Sequence, residues 1–283
     1  MEYKKGHTIK PKETLPNGEV VFTDGTSDVS PNQISCEAYG YKWDRKSSTC
    51  YGFSSNFKIG KLFQSTTNTK IGAENVTNKG TENTFINGNN NTTKGRNRNI
   101  LVCGESHQVE SGIDNASIIG GTLGKALRQS EVVIGGGGAF DVNLIGLNQT
   151  STVQLAVNTD DDAATRMTIQ GQGSHIAIQN NSILGFEAKV IALVSGGDSG
   201  AAGDYKYFEI TGAVRVRDTF ATTFSQSTAT IASVGTTGDL STVSMVDIGT
   251  GFITVQVTGG GEISIEWFAS VQLTEKKLKT EAF

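Results

Sequence analysis

The chain has 283 residues, a formal net charge of −4, and 35 glycines against 3 prolines. A mildly acidic balance excludes the basic footprint of a general nucleic-acid binder. Abundant Gly, Asn, Ser and Thr disfavour long helices, because Gly is a poor helix former and the others compete for backbone hydrogen bonds.

Residues 1–64 are polar, hold every proline (Pro11, Pro16, Pro31), and are rich in Tyr and Lys. The start Met1–Gly6 has no apolar secretion segment, and no run in the chain approaches a membrane span, so no membrane insertion is expected. Turn signals at Pro16-Asn17-Gly18 and Asp24-Gly25 bracket a short strand at Glu19–Thr23. Tyr39, Tyr41, Trp43, Tyr51 and Phe53 follow closely. The region reads as irregular, without a core of its own, and suited to docking on another protein. Three cysteines are too few for a disulfide scaffold. Cys36 and Cys50 could approach across a loop, but cytosolic synthesis would favour thiols.

Residues 65–146 carry a repeat in which a short apolar strand ends at a turn-forming residue. The strands are Thr69–Ile71, Thr84–Ile86, Leu101–Cys103, Ser117–Ile119 and Val132–Ile134. The turn positions are Gly72, Asn87, Gly104, Gly120 and Gly135, spaced by 15, 17, 16 and 15 residues. A second position follows eight residues after each of the first four: Gly80, Gly95, Gly112 and then Arg128. Each repeat therefore makes two strands and two turns, one coil of a parallel β-roll or solenoid. Gly and Asn tolerate the left-handed backbone that tight corners need. Ile71, Ile86, Val102, Ile119 and Val133 are expected in the core, with Cys103 as a small core residue. One chain encloses little apolar volume in this way, so identical chains are expected to pack against each other as a homotrimer. The repeat resembles the head repeats of trimeric autotransporter adhesins and similar repeats of bacteriophage fibre proteins.

Residues 147–185 are transitional, with strand-like runs at Gln154–Val157, Met167–Gln170 and Ile176–Gln179. Residues 186–274 read as an antiparallel β-sandwich of jelly-roll type, followed by a tail at 275–283. Its strands are expected at Phe186–Val194, Tyr205–Val216, Thr228–Val234, Ser241–Ile248, Phe252–Val257 and Glu262–Leu273. The runs Tyr205 to Arg215, Phe252 to Gly259 and Ile263 to Val271 resemble a C-terminal domain of phage fibres and other virion proteins. Trp267 alternates in phase with Ile263 and Ile265 and is assigned to the core.

Gly197-Asp198-Ser199-Gly200 copies a serine-protease nucleophile motif. Nucleophilic serine needs a base, and His7, His107 and His175 lie in three different regions. Asp160-Asp161-Asp162 lacks the spacing of a cation loop. Gly135–Gly138 lacks the Lys-Ser/Thr of a phosphate loop. Lys94, Arg96 and Arg98 read as a solvated turn. No catalytic, cofactor-binding or metal-ligating residue is assigned.

The expected protein is all-β: an elongated trimeric β-roll or solenoid followed by a C-terminal antiparallel β-sandwich. The resemblances imply a non-enzymatic fibre or appendage of a phage virion, made in the host cytoplasm. It would dock to other virion proteins through residues 1–64 and assist attachment to a host surface glycan or protein. The alternatives are a glycan-degrading tailspike-like enzyme or a bacterial surface adhesin. Candidate recognition loops hold Asp198, Asp204, Phe220 and Phe224.

Overall fold

A computed structural model describes residues 2–15, 18–45, 47–52, 68–136, 144–235, 242–249 and 251–278. Pro16, Asn17, Phe53, the boundary expected at 64–65, Gly137, Gly138 and Ser241 lie outside the described residues. The chain divides into two compact units, Met1–Thr67 and Asn68–Phe283.

The first unit has the core that the sequence reading denied it. Strands β1 (Lys10–Thr14), β2 (Val20–Thr23) and β3 (Asp28–Val29) form an antiparallel sheet. A short helix α1 (Gln33–Ala38) follows, started by Asn32, whose side chain accepts the Ser35 N–H. A hairpin of β4 (Lys42–Asp44) and β5 (Thr49–Tyr51) completes the unit. Phe22 is fully buried and meets Tyr39 and Tyr41 edge-on. Cys36 on α1 is bonded to Cys50 on β5, which corrects the expectation of free thiols. A cross-link and clustered aromatic rings replace the apolar mass that so small a unit lacks.

The second unit opens with a β-solenoid of about four turns. Its longer face stacks β6 (Thr69–Ile71), β8 (Glu82–Asn89), β10 (Arg98–Glu105), β12 (Ser117–Thr122) and β14 (Val132–Gly135) in parallel. The shorter face stacks β7 (Val76–Thr77), β9 (Thr92–Thr93), β11 (Gln108–Val109) and β13 (Lys125–Ala126). Register places Val102 opposite Ile86 on one side and Ile118 on the other, with Val133 next in line. All four are buried.

Two expected core residues face outward. Ile71 is 51% exposed and Ile119 46%. Ile71 pairs with Asn87, Asn87 with Cys103, and Cys103 with Ile119, a row one position out of phase with the core. Side chains alternate along a strand, so a slip of one residue moves a side chain to the other face. Cys103 shares this outer row and is half-buried, not a core residue. The turn row needs the same correction. It runs Gly72, Gly88, Gly104 and Gly121, and ends against Gly135 within β14. Asn87 is an interior strand residue of β8, and Gly120 is the extra residue of an irregularity in β12. Gly88 has φ +139°, and a Cβ there would lie 1.8 Å from the Gly104 carbonyl oxygen. Only glycine permits coils to approach so closely.

Beside the apolar column runs a polar one. The Asn75 Oδ1 accepts the Asn91 N–H at 3.1 Å, and the Asn91 Oδ1 accepts the His107 N–H at 2.9 Å. The His107 Nδ1 accepts the Gly124 N–H at 2.9 Å. These residues stand 16 or 17 positions apart, one per coil. At an outer corner Asn83, Asn99 and Asn115 all adopt positive φ, and their amides bond in series at 2.6 and 2.8 Å.

Strand β15 (Asn148–Thr159) runs antiparallel to β14 and closes the stack. The chain then forms β16 (Ala164–Arg166), β17 (Thr168–Ile169), β18 (Ile176–Ala177), β19 (Ser182–Gly196), β20 (Tyr205–Val216), β21 (Thr222–Val234), β22 (Thr242–Gly249), β23 (Phe252–Thr258) and β24 (Ser264–Lys277). Strand β24 enters between β15 and β19 and pairs along almost its whole length with both. An 11-stranded sheet therefore runs from β6 in the solenoid to β21. A second sheet has β23 at its centre, flanked by β22, β16 and β18. Val190, Ile210 and Trp267 from the large sheet share one core with Met245, Ile253 and Val255 from the small one. Trp267 is buried, stacks on Phe208, and donates its Nε1–H to the Thr159 hydroxyl at 2.9 Å.

The junction between coils and antiparallel strands is ionic. The Arg128 guanidinium is fully buried and pairs with Glu131 and with Glu275, the latter at 2.6 and 3.1 Å. It also donates to the Ala177 carbonyl at 2.7 Å. Burial works against its charge, but the two carboxylates outweigh burial and raise its pKa above the usual value.

Candidate interaction surface

The outer face of the large sheet is where the solenoid departs from an ordinary surface. Two adjacent rows run along the stack. Ile71, Cys103, Ile119 and Ile134 lie in one, with Phe85, Leu101 and Val132 in the other. Asn87, Thr69 and Ser117 fill the remaining places, so neither row holds a charged side chain. Phe85, Leu101, Val132 and Ile134 are 37–51% exposed. Single exposed apolar residues are normal, whereas a contiguous apolar strip marks a contact surface. Further along the same face Ile191 is flanked by Phe268 and Tyr207, and Leu193 pairs with Tyr205. Ile191, Leu193, Tyr205 and Phe268 are all exposed.

The other faces of the solenoid are charged or polar. Glu110 receives Lys94 at 3.0 Å and Lys125 at 2.9 Å, and Arg98 binds Asp114 at 2.8 Å. Burial raises the Glu110 pKa, but the two lysines together hold it below the usual carboxylate value. Two of the three residues read as a basic turn are thus neutralised by the next coil.

The expected recognition residues do not form one site. Asp198 and Asp204 lie in the β19–β20 loop, beside the turn that holds Glu262. Phe220 lies in the β20–β21 turn, with φ +58°, beside Gly251. Strand β20 has 12 residues and separates the two groups by roughly 40 Å. Phe224 is half-buried and packs edge-on to Phe186 in the core. The Ser199 hydroxyl donates to the Glu262 carboxylate at 3.3 Å. His107 lies inside the solenoid, and the His175 Nδ1 is 3.2 Å from the Met167 carbonyl. Asp161 accepts the Ala163 N–H within an exposed turn. Among the described residues, no group of His, Cys, Asp and Glu is arranged to hold a metal ion. The outward apolar rows escaped the sequence reading. The signal that finds them is the additional apolar residue next to the core one in each repeat: Phe85, Leu101, Ile119 and Ile134.

No family model and no curated protein matches the chain. Among solved structures it is similar to the tailspike protein gp49 of Acinetobacter baumannii bacteriophage Fri1, a capsular polysaccharide depolymerase. The identity is 10% over 74% of this chain and 45% of that one, with a TM-score of 0.30. It is similar to the tailspike protein of Acinetobacter baumannii phage AM24 at 7% identity, over 73% of this chain and 50% of that one, TM-score 0.26. For the tailspike protein of Acinetobacter phage vB_ApiP_P1 the values are 11%, 75%, 48% and 0.22. The chain spans half or less of the length of these proteins. The sequence reading expected a non-enzymatic chain, whereas the first of these structures is a capsular polysaccharide depolymerase.

Proposed function

We propose that this chain is part of a tailspike-like attachment protein of a phage particle, which engages polysaccharide on the bacterial surface as a homotrimer. The observation that carries the reading is the charge-free apolar strip along the solenoid. Its rows repeat at the spacing of stacked strands, about 4.8 Å. A partner surface matches that period over several coils when it is itself a coil stack, and a second copy of this chain supplies one. Closed rotational symmetry then buries the strip of every copy equally. Three stacks so joined leave their polar faces outward, and at the border of the strip the Asn83, Asn99 and Asn115 amides offer donors and acceptors at a regular interval. A polysaccharide is a ligand of matching character, uncharged hydroxyls repeated along a chain.

The test uses the purified chain and capsular polysaccharide from a susceptible host. Sedimentation is expected to give a trimer, and the polysaccharide is expected to be retained or shortened, read by size exclusion and reducing-end release. A stable monomer at micromolar concentration, with polysaccharide neither bound nor shortened, would overturn the reading.

A further inference from the structure

The first unit holds an open groove of about 460 Å³, and its lining has the chemistry of a sugar site. Gln33 and Glu37, one turn apart on α1, make one wall. Lys42 and Trp43 on β4, with Arg45 just beyond, make the other. Tyr41 and Gly40 form the link between them, and Gly40 has open space above its Cα. Trp43 and Tyr41 are half-buried, each anchored at the unit's core while also lining the groove. Such rings offer flat apolar faces with polar edges.

We infer that this groove binds an acidic saccharide unit, the ring of the sugar against Trp43 and Tyr41 and its carboxylate at Arg45 and Lys42. Five points converge. The lining pairs aromatic faces with long hydrogen-bonding side chains, the composition of a site for a small amphipathic ligand. Two cations face one carboxylate, Glu37, so the groove favours an anion. Arg45 offers the planar fork that grips a carboxylate in two places. The Gln33 amide donates to Glu37 at 2.8 Å, which holds both polar groups of the α1 wall in place for sugar hydroxyls. Finally the walls are tied together. Cys36 sits on α1 between Gln33 and Glu37, and its bond to Cys50 joins that helix to β5, the strand paired with β4. Preorganised walls spare the ordering cost that binding otherwise meets.

The inference does not rest on the reading of the solenoid. Its test is an NMR titration of the full chain labelled at its 2 tryptophans, one of which, Trp267, is in the core of the second unit. The probes are an oligogalacturonate and a neutral galacto-oligosaccharide of equal length. The acidic probe is expected to move the Trp43 indole signal in a saturable way and leave that of Trp267 in place. The neutral probe should bind at least tenfold more weakly. Arg45→Glu is exposed, so it is expected to keep the thermal unfolding temperature and lose the response. Trp43→Phe keeps a ring and is expected to retain weakened binding, followed by calorimetry. A Trp43 signal unmoved at millimolar oligogalacturonate, or an Arg45→Glu protein that titrates like the parent, would overturn the inference. Because Ile119→Asp breaks the outer strip and not the groove, an unchanged Trp43 response in that variant separates this site from the proposed trimer.

Discussion

Within one continuous sheet, the solenoid and the strands after it are filled by different means. The solenoid interior holds a thin column of Ile86, Val102, Ile118 and Val133 beside hydrogen-bonded Asn75, Asn91 and His107. The antiparallel part presses two sheets on a broad apolar core that includes Val190, Ile210, Val255 and Trp267. In the first, each side chain meets its equivalent one coil away, so stability is a sum of near-identical local contacts. In the second, contacts join strands far apart in sequence, and β24 is needed to complete the layer between β15 and β19. A coil stack with so little apolar volume leaves its second apolar row outside, and that row becomes available for assembly.

The largest effect should come from the point where the two regimes meet. Arg128→Met leaves the Glu131 and Glu275 carboxylates buried together without their cation. Removing one partner of a buried ion pair costs about 3–5 kcal/mol. Urea unfolding is expected to show that loss, and to separate into two transitions as solenoid and antiparallel strands uncouple. A single transition displaced by less than about 1 kcal/mol would mean that the ionic junction does not couple them.

Next in size is a pair of neighbouring residues that sharpens the difference between inside and outside. Ile118→Ala empties part of the coil core and should cost about 2–5 kcal/mol. Ile119→Ala faces outward and should change the stability of a single chain by about 0.5 kcal/mol or less. The roles invert in sedimentation, where the Ile119 variant is expected to weaken assembly. Equal thermal losses for the two variants would place the wrong residue inside.

That pair also shows what was legible beforehand. The coil period was plain, because close packing of coils demands glycine and corner residues tolerate positive φ. The phase was not, because two adjacent turn formers, Asn87-Gly88 and Gly120-Gly121, each offered a choice of corner. In β12 the extra residue Gly120 puts the core residue, Ile118, three positions before its corner where Ile86 and Val102 stand two before theirs, and Ile119 was therefore placed inward. Strand β20 was read at its observed limits, Tyr205–Val216, since it alternates and ends in turns. Strand β21 begins at Thr222, six residues before the expected Thr228, because an edge strand of Thr, Ser and Ala carries no apolar alternation. Arg128 and Glu275 are 147 positions apart, and nothing local to either announces the other. The candidate groove is lined by one contiguous stretch, residues 33–45, but that stretch reads as irregular and its helix and hairpin walls were not foreseen. The recognition residues were chosen as loop residues, but a strand has two ends, and those chosen fell on both.

The smallest effect tests the polar column itself. His107 stands where Asn75 and Asn91 stand in the preceding coils, with its Nδ1 taking the part of an amide oxygen toward Gly124. Among the described residues its Nε2 has no hydrogen-bond partner. Burial, the dominant cause, lowers its pKa below the ordinary 6.5, against weaker opposing contributions from neighbouring backbone groups. The folded chain thus holds this proton less tightly than the unfolded chain, whose histidine takes one up near pH 6.5. Below that pH the unfolded state binds more protons, so stability should fall as the solution is acidified from pH 7 to pH 5. Glu110 does not confuse this window. Its folded pKa is depressed, so its contribution is lost as the pH falls from the ordinary carboxylate value of 4.5 toward the lower folded one, beneath the pH 7 to pH 5 interval. His107→Asn supplies an amide oxygen for the Gly124 N–H and an NH₂ that can reach the next coil, as the Asn91 amide reaches the Gly104 carbonyl at 2.9 Å. It also removes the titrating group. The variant is expected to be as stable as the parent at pH 7 and to lose the decline between pH 7 and pH 5, both measured by thermal unfolding. Were the decline to persist unchanged, the acid sensitivity would belong to another group, and the polar column would be indifferent to which side chain continues it.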